Sequence, residues 1–182
     1  IQFTPDVGKP SPNEFAVLVN SESSDITNPD KYNITAITNN NFGIWNALSN
    51  EEDYASLGTL YSKEYPSRYS VRMVNKRFLI KSDVEKMVVE NNFIKRDKGY
   101  ELWSIQESPY FVCNNRNNVN EFESVKNVYT FNNNLLDVNK KLYIKYTLSY
   151  KKILTHDDEK LGKNISIWRP IPPKNFYSLG DI

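Results

Sequence analysis

Few residues in this chain have a wide chemical repertoire. His156 is the only histidine, and the run Thr155-His156-Asp157-Asp158 sets it beside two carboxylates that could help it hold a metal or act as a base. No second histidine or cysteine stands at ligand spacing, so there is no zinc pattern, and the segment reads as a polar loop. Cys113, the single cysteine, ends the apolar run at 110–113 and reads as a buried structural thiol. A serine or cysteine nucleophile would have to borrow His156, and the chain has no Gly-x-Ser-x-Gly elbow to expose one. The acidic runs Glu51-Glu52-Asp53 and Asp157-Asp158-Glu159 lack the spaced oxygen series of a calcium loop, and no glycine-rich phosphate cradle occurs. The expectation is therefore no catalytic residue, no metal and no cofactor. What remains is the chemistry of recognition. Trp168, Arg169, Pro170 and Tyr177 combine aromatic, cationic and rigid surfaces, the composition of interface hot spots.

Two arrangements of those residues are open. In one, Trp168, Arg169 and Pro170 form an exposed docking surface. In the other, Trp168 is buried and Arg169 pairs with a carboxylate or stacks on Tyr177. The regular spacing described below favours packing. Tyr61, Tyr65 and Tyr69 form a second candidate interaction surface.

Composition narrows the class. The chain has 182 residues, of which 23 are basic and 22 acidic, for a net charge of +1. Nothing in that balance points to nucleic acid, and no cluster of Lys and Arg is large enough to track phosphates. One cysteine rules out an intrachain disulfide and suits a reducing compartment. No run approaches the ~20 apolar residues of a membrane span. The chain opens on Ile1 without an apolar leader, so it reads as an internal piece of a longer protein or a processed product. Asn33-Ile34-Thr35 and Asn164-Ile165-Ser166 match the glycosylation acceptor, as chance predicts in a sequence this rich in asparagine.

The elements that must position the recognition residues are short strands. Turn chemistry fills 4–13, and strand-like pieces follow at 15–19, 34–37, 42–45, 56–61, 69–74, 77–80, 101–105, 110–113, 124–130, 141–148 and 165–168. Aromatics at 13% suit pleated, half-buried surfaces. A capping-box-like start at Ser82, with Val84, Met87 and Val88 on one helical face, predicts a helical turn over 82–90. The fold class is thus all-β and mainly antiparallel, with sandwich- or prism-like repeats and at most one short helix.

Internal repetition carries the most information. The three tryptophans recur as Ile44-Trp45, Leu102-Trp103 and Ile167-Trp168. Tyr54 follows Trp45, and Tyr177 follows Trp168, each after nine residues; Ser56-Leu57-Gly58 and Ser178-Leu179-Gly180 come next. The middle copy has Tyr110-Phe111-Val112-Cys113 and no glycine. Trp45, Gly58, Trp103, Trp168 and Gly180 are accordingly structural markers of a strand–loop–strand unit, with glycine allowing a bend. The prolines at 170, 172 and 173 take the chain out of the sheet after Trp168. The domain reading is an N-terminal strand and loops over 1–41, separate or part of the same domain, diverged Trp-centred repeats over 42–149, and the start of a further Trp-Arg-Pro unit over 150–182. That last unit reads as truncated, with strands to be supplied from elsewhere in a longer protein.

Tyr150-Lys151-Lys152-Ile153, the run Gly162-Lys163-Asn164-Ile165-Ser166-Ile167-Trp168-Arg169-Pro170-Ile171-Pro172-Pro173, and Tyr177-Ser178-Leu179-Gly180-Asp181-Ile182 together resemble the Trp-Arg-Pro segment of Vps13-type and Vps62-type proteins. Upstream the likeness thins over 42–149, where Asn46-Ala47 stands in place of Arg-Pro. The resemblance implies a β-rich, non-catalytic accessory module in a lipid-transport protein of membrane contact sites. It would dock a protein partner or a membrane-associated adaptor, or touch a lipid surface, in the cytoplasm and peripheral to membranes. Vps62-like domains also occur outside the cytosol, which gives the alternative of a secreted, pathogen-surface or toxin-associated domain recognising a receptor or glycan. Fold transfers across such a likeness more safely than function.

Overall fold

The structure, a computed structural model, describes residues 17–20, 24–92, 97–117, 127–132, 144–147, 149–158 and 163–182. Among them the chain is antiparallel β-sheet, with one 3-10 turn at Lys76–Phe78. No helix among the described residues is long and apolar enough to cross a membrane.

Three hairpins organise the molecule. They pair β3 (Lys31–Ile37) with β4 (Gly43–Leu48), β9 (Val84–Asn92) with β10 (Asp97–Ile105), and β14 (Tyr150–Asp158) with β15 (Lys163–Pro170). Each second strand carries one tryptophan, and each first strand is bulged at the same place. Trp45 faces Ile34 and Ile44 faces Ala36, leaving Thr35 as the extra residue. Trp103 faces Lys86 and Leu102 faces Val88, leaving Met87; Trp168 faces Lys152 and Ile167 faces Leu154, leaving Ile153. A bulge sharpens local twist, so the three ribbons bend alike. Strand alternation sends the residue before each tryptophan to the opposite face. Those residues, Ile44, Leu102 and Ile167, are fully buried and meet in one core with Tyr61, Phe111 and Cys113.

A third strand joins each hairpin. β6 (Thr59–Ser62) places Leu60 opposite Trp45, and β11 (Phe111–Asn115) places Val112 opposite Trp103. In the third unit Ile182 stands opposite Trp168, the two exchanging backbone hydrogen bonds of 2.7 and 2.9 Å. This register aligns Gly58-Thr59-Leu60 with Gly180-Asp181-Ile182, and both with Tyr110-Phe111-Val112.

Short ladders form a second layer. β7 (Met73–Asn75) lies between β2 (Ile26–Thr27) and β5 (Tyr54–Ala55), and β8 (Leu79–Lys81) pairs with β12 (Tyr129–Phe131). β1 (Val17–Asn20) lies between β13 (Ile144–Tyr146) and β16 (Phe176–Ser178). The registers again agree: Val74 faces Ile26, Phe131 faces Leu79, and Val19 faces Ile144. The N-terminal strand β1 therefore holds in the third unit the place of β7 in the first. The sequence pointed outside the chain for that strand, yet 17–20 supply it. Val19, Val74 and Phe131 share a second core cluster with Leu57, Leu179 and Tyr110.

The helical turn expected over 82–90 is instead strand β9, and 155–158, read as a loop, belong to β14. Residues 56–58 form a corner before β6, and 69–72 precede β7 without strand pairing. Of the other expected elements, 4–13, 15–16, 124–126, 141–143 and 148 lie outside the described residues.

Candidate binding grooves and the joint between units

Units 1 and 3 meet back to back at their glycines. A Cβ on Gly180, where φ is +153°, would stand 2.8 Å from Gly58 Cα, and one on Gly58 would stand 3.0 Å from Tyr110 Cδ1. The three aligned positions thus converge, with two glycines making room and the tyrosine of the middle copy filling it. Both corners are pinned the same way, by Ser56 Oγ donating to Gly58 O at 2.9 Å and Ser178 Oγ donating to Gly180 O at 2.8 Å.

One residue further on, the copies part. Thr59 of unit 1 corresponds to Asp181 of unit 3, which is completely buried. Arg169 Nε and Nη2 donate to Asp181 Oδ1 and Oδ2, each at 2.9 Å. Tyr61 N donates to Asp181 Oδ2 at 2.8 Å, and Arg169 Nη2 also donates to Tyr61 O. The pair offers the backbone of β6 an acceptor and a donor, as a neighbouring strand would. Burial pushes the Asp181 carboxyl up against the pull of Arg169. Arg169 is therefore tied to Asp181 while its half-buried side chain still reaches the surface, and Tyr177 stacks on another cation. The Arg72 guanidinium lies 3.5 Å from the Tyr177 ring centroid, and burial pulls its pKa down.

Two grooves flank this joint at related positions, each with a volume of ≈ 490 Å³. The first lies under the loop that follows Trp45, between Asn46, Glu51, Tyr54 and, from unit 2, Val112, Val128 and Tyr129. The second lies under the loop that follows Trp168, between Arg169, Pro172, Tyr177 and, from unit 1, Leu60, Tyr65 and Tyr69. Gly58 comes 13 positions after Trp45 and Gly180 comes 12 after Trp168, whereas Tyr110 comes only 7 after Trp103. A long Trp-to-corner stretch roofs a groove in units 1 and 3, and the short one of unit 2 contributes only Ile105, to the first groove.

The second groove has the richer surface. Tyr65 and Tyr69 are 60% and 56% exposed on its rim. Tyr65 is also fixed. Its hydroxyl accepts from Tyr32 N at 2.8 Å, and its ring meets the edges of Tyr32 and Trp45 with centroids 5.8 and 5.3 Å apart. Of the sequence candidates, Arg169, Pro170, Tyr177, Tyr65 and Tyr69 line this groove together. Trp168 does not line it; the residue is 5% exposed, with Lys152 Nζ 5.5 Å from its ring centroid. Tyr61 is buried in the core. Phe176, Glu64 and the Arg72 brace escaped sequence reading. The nine-residue spacing matches Tyr177 to Tyr54, but the ladders to β1 and β7 put Phe176 in the place of Tyr54 and Tyr177 in that of Ala55.

Elsewhere, Cys113 and Glu101 serve packing. Cys113 is fully buried, and burial together with the Glu101 charge raises its thiol pKa. Glu101 accepts from Lys86 Nζ at 2.8 Å and from Trp103 Nε1 at 3.2 Å. Burial would raise its carboxyl, but Lys86, Asn114 and Trp103 hold it below the usual carboxylate range. His156 sits in β14 opposite Ile165. No group of three or more metal-capable side chains occurs among the described residues. Trp45, Gly58, Trp103, Trp168 and Gly180 all fall at equivalent register points of the three units.

No protein-family model, curated protein or solved structure matches the chain.

Proposed function

We propose that the chain is a non-catalytic docking module that receives a segment of a protein partner in the second groove. The observation that carries this reading is the pair of exposed rings, Tyr65 and Tyr69, facing Pro172, Phe176 and Tyr177 across the groove. Tyrosine and arginine are the residues around which interface energy concentrates. Tyr65 is already held by Tyr32 and Trp45, so binding orders little that is loose. The likeness of 150–182 to Vps13-type segments supports the same class, with a cytoplasmic, membrane-peripheral protein of lipid transport as its setting.

The test compares the chain with a Tyr65→Ser/Tyr69→Ser double variant in three assays. These are partner capture by crosslinking in cell extract, flotation with phosphatidylcholine–phosphatidylserine vesicles, and binding to a glycan array. Docking predicts a defined protein partner whose retention falls about tenfold or more in the variant. The variant remains folded at the assay temperature, although the loss of the Tyr65 contacts to Tyr32 and Trp45 lowers its unfolding midpoint. Retention on vesicles alone would move the reading to membrane association, and on glycans alone to recognition of a surface sugar. Equal capture of the partner by both forms would remove the groove from the docking role.

A further inference from the structure

Four charged residues are buried among the described ones: Asp25, Arg72, Glu101 and Asp181. Three of them face an opposite charge, Asp25 with Arg77, Glu101 with Lys86 and Asp181 with Arg169. Arg72 is the exception. It is 6% exposed, and among the described residues no carboxylate pairs with it. Its contacts are phenols and backbone. Nη1 donates to Val71 O at 3.3 Å, and Cζ lies 3.5 Å from the Tyr177 ring centroid and 5.7 Å from that of Tyr69. Aromatic faces offset part of the cost of burying a guanidinium, and a bidentate anion offsets more.

The second groove gives an anion its approach. Tyr69 and Tyr177 line it, as does Ser178, whose carbonyl accepts Arg72 N at 3.1 Å. Arg72 therefore stands directly behind the groove wall. The two rim tyrosines differ in how they are held. Tyr65 is fixed by Tyr32 and Trp45, whereas the Tyr69 ring meets only the guanidiniums of Arg68 and Arg72 and its hydroxyl bonds to no described residue. Turning Tyr69 about its Cα–Cβ bond opens Arg72 to the groove, a motion that is fast for an exposed side chain. The surrounding charge favours an acid. Arg169 in the lining is already neutralised by Asp181, and Arg68 and Arg72 have no carboxylate partner. Glu64 opposes them, but it is exposed and screened by solvent, whereas Arg72 is not.

We propose that the second groove contains a carboxylate subsite, in which the Arg72 guanidinium binds an acidic side chain of the docked protein segment. This rests on the docking reading above and states what the segment must carry. A single carboxylate matches the single buried cation. A phosphate dianion would leave its second charge to Arg68, which stays in solvent.

A library of displayed short random peptides is selected on the whole chain, and enriched sequences are remade with acetylated and amidated ends. The expected result is one shared Asp or Glu position, whose change to Asn or Gln weakens binding about tenfold or more. With Arg72→Gln, the acid and amide forms should bind alike. Arg68→Gln should alter the acid–amide ratio no more than about twofold, as an exposed charge does. On the unaltered chain the Arg72 Nε–H resonance should move downfield with the acidic peptide and stay in place with its amide, a readout that needs no folded variant. Peptides that depend on Tyr65 and Tyr69 but share no acidic position would overturn this inference and leave docking standing. If no selected peptide responded to Tyr65→Ser/Tyr69→Ser, both readings would fall. Undiminished discrimination by Arg72→Gln, an unmoved Arg72 resonance, or displacement of the peptide by inorganic phosphate more readily than by acetate would each remove the subsite.

Discussion

Units 1 and 3 share a bulged hairpin, a Ser-Leu-Gly corner and a roofed groove, yet they solve the position after the glycine differently. Unit 1 puts Thr59 there, and its hydroxyl is buried without a partner. Unit 3 puts Asp181 there and meets it with Arg169 at two points. Unit 2 departs further, with Tyr110 in place of the glycine and Phe111 in place of the threonine. The backbone register is held in common, and the side chains at the joint are free to specialise. What unit 3 gains is attachment. Its ion pair holds the backbone of Tyr61, a residue of unit 1, so the two units cannot part without exposing charge.

That contrast can be broken at its strongest point. Arg169→Ala should cost about 3–4 kcal/mol in urea unfolding, since it strands the buried Asp181 carboxylate. Replacing both partners with Arg169→Met/Asp181→Leu should recover all but about 1 kcal/mol of that loss. If the single and double variants were equally unstable, the pair would not be what joins the units.

The two glycines offer the next test. Gly180→Ala should cost about 3 kcal/mol, because both its φ and the Gly58 backbone oppose a Cβ. Gly58→Ala should cost only about 1–2 kcal/mol, since its nearest neighbour is a tyrosine side chain that can move. Tyr110→Leu should therefore relieve Gly58→Ala and leave Gly180→Ala unrelieved. Matching unfolding midpoints for the two glycine variants would contradict the geometry.

A smaller effect separates the carboxylates of units 2 and 3 by pH. Glu101 has its pKa lowered on folding, so its stabilisation is present above the unfolded value and is lost as pH falls through the lower folded one. Asp181 has its pKa raised, so its contribution is fully present below the unfolded value and is lost as pH rises through the folded one. Glu101→Gln should cost about 1 kcal/mol near neutrality and flatten the acid limb of stability against pH. Asp181→Asn should leave that limb in place and flatten the opposite slope. The urea midpoint measured across the carboxylate range reads both.

The repeat itself was legible because tryptophan and glycine are rare markers at fixed offsets. Ile44, Leu102 and Ile167 could be expected in the core once Trp45, Trp103 and Trp168 were aligned. The hairpin partners were harder, and the bulge explains why. In β9 the extra residue Met87 breaks the two-residue alternation, so Val84, Met87 and Val88 fall at helical spacing although all lie in a strand. β14 begins with Lys151 and Lys152 exposed, which hid its pairing to β15 behind a polar pattern. At the candidate groove, Tyr65, Tyr69, Arg169 and Tyr177 could be named from the sequence. Their convergence could not, because it depends on units 1 and 3 meeting across more than a hundred residues of chain. For Arg169 the sequence leaves open an exposed role, a carboxylate partner or a stack on Tyr177, and the partner is already present in the Leu-Gly-Asp turn as Asp181.

The pairing of β1 with β13 and β16 gives assembly a direction in time. Val19 faces Ile144 and Tyr177, so the first described strand finds its partners only after nearly all the remaining chain exists. At ribosomal speeds of roughly 5–20 residues per second, that is a wait of about 10–30 s. The intervening loop costs little extra entropy for its length, so the delay concerns exposure more than stability. During that interval the Val-Leu-Val run of β1 is an unpaired, apolar strand. A chaperone holding the β1 segment until β13 and β16 have been made would therefore change the yield of folded protein without touching its final stability.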